Sequence, residues 1–367
     1  MLVLMRKTKI RDPNRNKPGL KEHFLARRSV RIGIISATLL IAGSIVAFFV
    51  FYKPPTFKST PIQAAQEPII YYSPLTGAEV DNEALTRRPV TAIMIENSPE
   101  ARPQSGLKEA GVVFEAVAEG GITRFIALYQ EAQPALVGPV RSLRPYYVEW
   151  AAGFDPAVVH VGGSARALDM IRGGGYGADL DQFFDHSETT FWRASDRWAP
   201  HNVYTSFEKL NALEQSKDKA ASNFTPWPRQ DGAAVEIPDA THINMPVSTG
   251  AFAVSYNYDV ETNSYNRYQG GQPHMDREQG QIAPTVAIAI MVPMTYAMED
   301  GYREQITTVG NGECFVFQNG TATQGTWRKV DAKSQIEFLD GENQPIELGR
   351  GQTWITAVPL GKEVSWQ

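Results

Sequence analysis

The stretch Val158-Val159-His160-Val161-Gly162-Gly163-Ser164-Ala165-Arg166 reads as strand, glycine turn and helix start. Its β-branched residues favour extended chain, the glycine pair permits a sharp turn, and Ser164 can cap a helix with Ala167, Leu168 and Ile171 on one face. Around it, strand-like runs at residues 90–95, 111–117, 122–129 and 157–161 alternate with helical spacing at 142–152, 164–171 and 206–215. That alternation predicts an α/β domain on a mixed sheet over residues 71–215. From residue 246 helical periodicity ceases, and 254–258, 264–268, 285–292, 314–317 and 354–358 read as strands. Asn319-Gly320 has the composition of a tight hairpin turn, and Asp340-Gly341 suggests another. A mostly β C-terminal domain, 246–367, is therefore expected after a linker at 216–245, where Trp227-Pro228, Asp231-Gly232 and Pro238 break any pattern. No period of 20–50 residues recurs, which argues against solenoids and propellers.

Ahead of these domains lies an uncharged apolar run, IGIISATLLIAGSIVAFFVFY, at residues 32–52. As a helix it spans roughly 30 Å, one bilayer core. Residues 1–31 carry ten cationic residues against Asp12 and Glu22 only, so the positive-inside bias predicts a cytoplasmic tail and a single-pass membrane helix. Residues 53–70 then read as a spacer, and the domains beyond face outward. The run is longer than the apolar core of a cleaved leader and ends in bulky residues, although Ala64-Ala65 leaves later processing open. The net charge of −5 divides into a surplus of eight positive charges before the run and a deficit of thirteen after it. An acidic outer part disfavours double-stranded nucleic acid as a partner.

One cysteine, Cys314, excludes an internal disulfide and any multi-cysteine metal site; its apolar setting predicts a buried structural thiol. His274-Met275-Asp276 offers two ligand types with no third, so no metal is expected, and no cofactor is implied.

The residues able to carry chemistry cluster in the α/β domain. Arg124, Arg141, Arg144, Arg193 and Arg197 lie at expected strand ends or turns. A guanidinium grips phosphate or carboxylate with two bonds, so these residues suggest an anion site. Internal pairing with Glu96, Glu115, Glu119 or Asp155 is the competing reading. Gly162, Gly163 and Ser164 add helix-start N–H groups that could receive an anion, or the serine could simply cap the helix. The motif is neither a P-loop nor a nucleophile elbow, since no Gly-Lys-Ser/Thr follows and Arg166 stands where the elbow needs glycine. The aromatic and polar loop at 191–204 places Arg197, His201 and Asn202 together as candidate ligand contacts. Were the cleft catalytic, Glu115, Glu119, Asp155, His160 and His201 would be the candidate acids and bases.

Several blocks resemble one family. Ser73-Pro74-Leu75-Thr76-Gly77, Arg102-Pro103-Gln104-Ser105-Gly106-Leu107, Glu119-Gly120-Gly121-Ile122-Thr123-Arg124, Gly138-Pro139-Val140-Arg141-Ser142, His160-Val161-Gly162-Gly163-Ser164 and Arg197-Trp198-Ala199-Pro200-His201-Asn202-Val203-Tyr204 are similar to the YerB-like bacterial envelope proteins. So are Tyr265-Asn266-Arg267, Gly271-Gln272-Pro273-His274-Met275-Asp276 and Gly351-Gln352-Thr353-Trp354-Ile355. The resemblance covers roughly residues 71–360. It implies a two-part extracytoplasmic protein of undefined biochemical role, often a lipoprotein; here a transmembrane helix would replace the lipid-bearing cysteine. A looser likeness joins the placement of Arg124 and Arg141 to the arginine-bearing segments of the LytR–CpsA–Psr phosphotransferases, whose acidic metal-binding residues have no clear counterpart. The expectation is a membrane-anchored envelope protein that binds a phosphate-bearing or wall-polymer ligand. A transferase or hydrolase acting on a lipid-linked phosphate, and a non-catalytic scaffold, remain alternatives, and no protein partner is indicated.

Overall fold

The computed structural model describes residues 20–56, 69–185, 187–295, 301 and 303–367. Most of the basic tail and of the spacer, at 1–19 and 57–68, lies outside the described residues. Helix α1, Leu20–Phe51, contains a 22-residue segment, Val30–Phe51, of mean hydropathy 2.5, long and apolar enough to cross a membrane. Its Leu40, Phe49 and Phe51 are exposed, which in water would be unfavourable for a helix apolar on all sides.

Residues 68–367 form a separate compact unit. Its first strands are β1 (Val90–Glu96), β2 (Val112–Glu119) and β3 (Ile122–Tyr129), followed by α2 (Pro145–Ala152), β4 (Pro156–His160), α3 (Ala165–Arg172), β5 (Ala178–Asp181) and α4 (Phe207–Ser216). Thereafter come β6 (His242–Met245), β7 (Val254–Asp259), β8 (Ser264–Gln269), β9 (Gln272–Pro273), β10 (Val286–Val292), β11 (Gly310–Gln318), β12 (Thr321–Lys329), β13 (Glu337–Leu339), β14 (Thr353–Pro359) and β15 (Ser365–Trp366). Among the described residues no α-helix follows Ser216, in line with the loss of helical periodicity.

Both sequence segments build one ten-stranded mixed sheet, in the order β13-β12-β11-β10-β14-β2-β3-β1-β4-β5. Strand β14 pairs in parallel with both β10 and β2 and so joins the late strands to the early ones. The central strands are buried along nearly their whole length, which explains their continuous apolar runs. Their side chains still alternate between two cores. Ile93, Ile95 and Val113 join Tyr256, Tyr265 and Met245 from the second sheet, β9-β8-β7-β6-β15; Ala92, Met94 and Phe114 join Tyr147, Trp150 and Ile171 from α2 and α3.

Ser164 caps α3 through Ala167 N, as its position suggested. Helix α2 starts three residues later than the spacing implied. Leu143 N is held by Gly162 O, Arg144 is extended, and Pro145 takes the first helical position. The Asn319-Gly320 pair closes the β11–β12 hairpin with φ of 58° and 83°.

Strand β1 is parallel to β4 and β4 to β5, while β1 and β2 are each antiparallel to β3. Hence β1, β2, β4 and β5 end on one edge of the sheet, at Glu96, Glu119, His160 and Asp181, where β3 begins with Ile122-Thr123-Arg124. In open sheets containing parallel strands this carboxyl edge is where ligands commonly bind.

Candidate functional site at the carboxyl edge

Two glutamates organise this edge. Glu119, ending β2, receives Arg124 Nη2 at 2.7 Å and Arg144 Nη2 at 2.5 Å. Burial alone would raise the Glu119 carboxyl, but the two guanidiniums together hold it down at about 2. Glu96, ending β1, lies 3.3 Å from Arg141 Nε and 3.0 Å from His201 Nδ1, and accepts a 3.0 Å bond from Ser98 Oγ. Ser98 Oγ also lies 3.0 Å from His201 Nδ1. Serine and carboxylate therefore meet the same ring nitrogen, and the relay of a catalytic triad, which runs through both nitrogens, is not formed.

The segment carrying Arg141 is fixed by backbone. Glu96 N donates to Pro139 O, Arg141 N to Met94 O and Val140 N to Val203 O. Gly138 makes this passage possible: its φ is 152°, and a Cβ there would meet the Tyr204 ring at 2.8 Å and Val203 O at 2.9 Å. Asn202 clamps the neighbouring loop, accepting from Arg193 Nη1 at 2.8 Å and donating to Ala194 O and Arg197 O.

The arginines thus separate by commitment. Arg124 and Arg144 are buried and share Glu119, so the internal-pairing reading holds for these two. Arg197 donates to the Ala101 and Pro103 carbonyls. Arg141 is different: its side chain is a quarter exposed, its buried Nε faces Glu96 at 3.3 Å, and its terminal nitrogens make one weak bond among the described residues, Nη1 to Pro200 O at 3.4 Å. Its pKa is lowered by burial, against the opposing pull of Glu96, with the charges of Arg124 and Arg193 adding to the lowering.

Other expected site residues are occupied or elsewhere. The Gly162–Ser164 cradle is filled from within, because Gly162 N donates to Asp181 Oδ1 and Ser164 N to Leu143 O. His160 is buried with Nδ1 2.9 Å from Gly162 O and Nε2 2.8 Å from Asp179 Oδ1, so neither nitrogen is free for a substrate. Asp155 precedes β4, at the opposite edge, and pairs with Lys219. Cys314 is buried and its thiol pushed up to about 12 by that burial, as its apolar setting predicted.

Glu115 belongs to a second cluster that the arginine pattern did not disclose. Fully buried, its Oε2 accepts from Arg267 Nη2 at 2.8 Å and Trp354 Nε1 at 3.1 Å. Arg267 also donates from Nη1 to Tyr256 Oη and from Nε to His274 Nδ1, and lies 4.3 Å from the centre of the Trp354 ring. Because Arg267 Nε can only donate, His274 carries its proton on Nε2 and gives it to Gln104 Oε1 at 3.1 Å. Burial, then Arg267 and Arg102, hold His274 well below its ordinary pKa and therefore neutral. Gln104 Nε2 in turn bonds Glu96 O and Asn97 Oδ1, linking this cluster to the edge. The available sequence signal was an arginine at an inward position of β8, inside a block already noted for its resemblance.

Residues 75–222 match the N-terminal domain, and 243–355 the C-terminal domain, of a protein family of unknown function, DUF3048. The chain belongs to this family. DUF3048 proteins similar to it include the Bacillus subtilis (strain 168) protein titled "Putative lipoprotein YerB", 35% identical over 290 residues, which cover 78% of this chain and 86% of YerB. The crystal structure of B. subtilis YerB superposes with a TM-score of 0.71 at 30% identity, covering 80% of this chain and 99% of that one. The DUF3048 fold here is accordingly two-part and rich in sheet: a mixed-sheet N-terminal part with few helices, a β-rich C-terminal part, and one apolar N-terminal helix. The blocks that carried the resemblance converge in space, since Arg102-Pro103-Gln104 meets Pro273-His274-Met275-Asp276 through the Gln104–His274 bond and a Gln104–Asp276 bridge.

Proposed function

We propose that this DUF3048 protein is held in the cytoplasmic membrane by α1, with residues 68–367 outside, and binds an anionic, phosphate-bearing ligand at the carboxyl edge of its sheet. The observation that carries the ligand is Arg141, a partly exposed guanidinium whose terminal nitrogens make one weak bond among the described residues and whose charge is crowded by Arg124 and Arg193. Arg193, exposed beside it, and His201 complete the mouth, while Arg124 and Arg144 brace it from behind through Glu119. For the anchor, the support is the 22-residue apolar segment of α1, the basic flank in the sequence, and the kinship with a protein titled a lipoprotein.

Thermal unfolding of the full chain in detergent tests the site, with inorganic phosphate and pyrophosphate as probes. A ligand at 100 times its Kd stabilises by about 2.7 kcal/mol. Pyrophosphate should raise the melting temperature of the natural chain and leave a folded Arg141→Met/Arg193→Met variant unmoved. No shift in the natural chain, or an equal shift in both, would remove the anion site and favour a purely structural role for the cluster.

A further inference from the structure

A separate cavity of about 400 Å³ opens where the two family segments meet, lined by Arg102 and Pro103 from the first and by Gln269, Pro273, His274 and Met275 from the second. Its size falls within the range of small-ligand sites. Neither the Arg141 cluster nor its proposed ligand accounts for it.

Two polar groups in its wall have unmet capacity. Gln269 is 4% exposed, yet neither its Oε1 nor its Nε2 has a hydrogen-bond partner. A buried carboxamide left in that state is costly, and its side-by-side acceptor and donor complement a peptide group. Arg102 donates from Nε to Asn97 O and Oδ1, from Nη2 to Asn97 O and from Nη1 to Ala251 O, and stacks 5.0 Å over Phe252. Of the five N–H donors of a guanidinium, one remains on each terminal nitrogen, and among the described residues no carboxylate forms an ion pair with Arg102. Burial pulls its pKa down to about 10, with Arg267 adding to the lowering and Glu115 and Glu100 opposing it only in part. His274 adds no charge, being neutral and engaged at both nitrogens. Pro103, Pro273 and Met275, the last 41% exposed, supply an apolar lip.

We propose that this cavity binds the carboxyl-terminal end of a peptide: the free carboxylate on Arg102, the last peptide group on Gln269, and a small apolar side chain against Pro103, Pro273 and Met275. A carboxylate supplies a counter-charge in direct contact with bidentate geometry, and the peptide group meets both orphaned amide atoms in one contact. A phosphate ester would satisfy Arg102 but leave the Gln269 donor and acceptor without their matched pair.

Calorimetric titration of the full chain in detergent tests this, with N-acetyl-alanyl-alanine in both enantiomeric forms, its carboxyl-terminal amide, and propionate. One enantiomer of the acid should bind at least about tenfold more tightly than the amide. Arg102→Met should abolish that preference, and Arg102→Lys, which keeps the charge, should retain part of it. Gln269→Leu should weaken the acetyl dipeptide about tenfold and leave propionate unchanged. Arg141→Met should alter none of these values, which separates this site from the phosphate site. Equal affinity for acid and amide, no heat up to about 10 mM of either enantiomer, or full binding by a folded Arg102→Met variant would overturn the assignment.

Discussion

Arg267 and Arg141 each face a glutamate, in opposite circumstances. Arg267 is fully buried, with Nε, Nη1 and Nη2 all engaged, by His274, Tyr256 and Glu115, and an indole against its face. Arg141 meets Glu96 through Nε at 3.3 Å, makes one weak bond from Nη1 at 3.4 Å and remains open to water over a quarter of its side chain. The pair shows that closeness to a carboxylate does not by itself classify an arginine. Burial together with the strength of its contacts does: a dry guanidinium held at all three nitrogens fixes a seam between segments, while a loosely held one open to water at a strand-end edge keeps capacity for a ligand.

The sharpest way to break that contrast is to remove Arg267. Arg267→Met strands the Glu115 carboxylate in the core and should cost about 4 kcal/mol, whereas the double variant Glu115→Leu/Arg267→Met should lose less than the single changes combined. Chemical denaturation of the full chain in detergent measures both. A loss below about 1 kcal/mol for Arg267→Met would mean that the buried cluster does not hold the seam. Glu119 stands between the extremes, half-buried against two buried cations with a quarter of its side chain exposed. Glu119→Gln leaves Arg124 and Arg144 facing each other without a counter-charge and should cost about 3 kcal/mol at neutral pH. Its folded pKa of about 2 lies below the ordinary carboxyl value, so its contribution is complete above about pH 4.5 and fades as the pH falls towards 2. The stability gap between natural chain and variant should close over that window.

How much of this was legible in the sequence follows from the range of the interactions. The bounds of β3 could be read because Gly120 and Gly121, both at positive φ, cut a sharp edge before Ile122-Thr123-Arg124 and the apolar run that follows them. The late chain's strand character was legible for the same local reason. That Thr353–Pro359 pairs in parallel with Val112–Glu119 was not, because periodicity holds no information about which strands become neighbours across some 240 positions. The site divided likewise. The arginines stood out by type and placement, but that Glu119 takes two of them and Glu96 the third depends on strand register. Arg267 escaped notice because an inward arginine in a short strand looks like any polar alternation until the core behind it is known.

A fourth glutamate sharpens the comparison by having no cation in contact among the described residues. Glu214 on α4 is buried, and its Oε1 accepts a 2.5 Å bond from Thr91 Oγ1. Burial, partly opposed by that bond and by Lys219, pushes its carboxyl up to about 7. The protonated form is therefore the one the fold favours: stability from this group is complete below about pH 4.5 and is lost as the pH rises through 7. Glu214→Gln keeps the acceptor for Thr91 and cannot ionise. It should stabilise the chain on the order of 2 kcal/mol at pH 8 and converge with the natural protein near pH 4. Equal stability at both pH values would show that Glu214 gains a counter-charge on ionising and belongs with the paired carboxylates.

The smallest effect on stability is expected at Arg141. If its contact with Glu96 is a loose ion pair at an open edge, Arg141→Met should cost under about 1 kcal/mol, the range of partly exposed pairs. Sodium chloride should erase most of that difference, since exposed charges are screened and buried ones much less so. The Arg267→Met deficit should persist in the same salt, which makes salt sensitivity an internal control. A loss at Arg141 as large as that at Arg267 would place both arginines in the structural class and leave the edge without a free cation for a ligand. A small, salt-sensitive loss accompanied by disappearance of the pyrophosphate shift would separate them, because only a donor the fold does not need can be given up at little cost to the fold and full cost to binding.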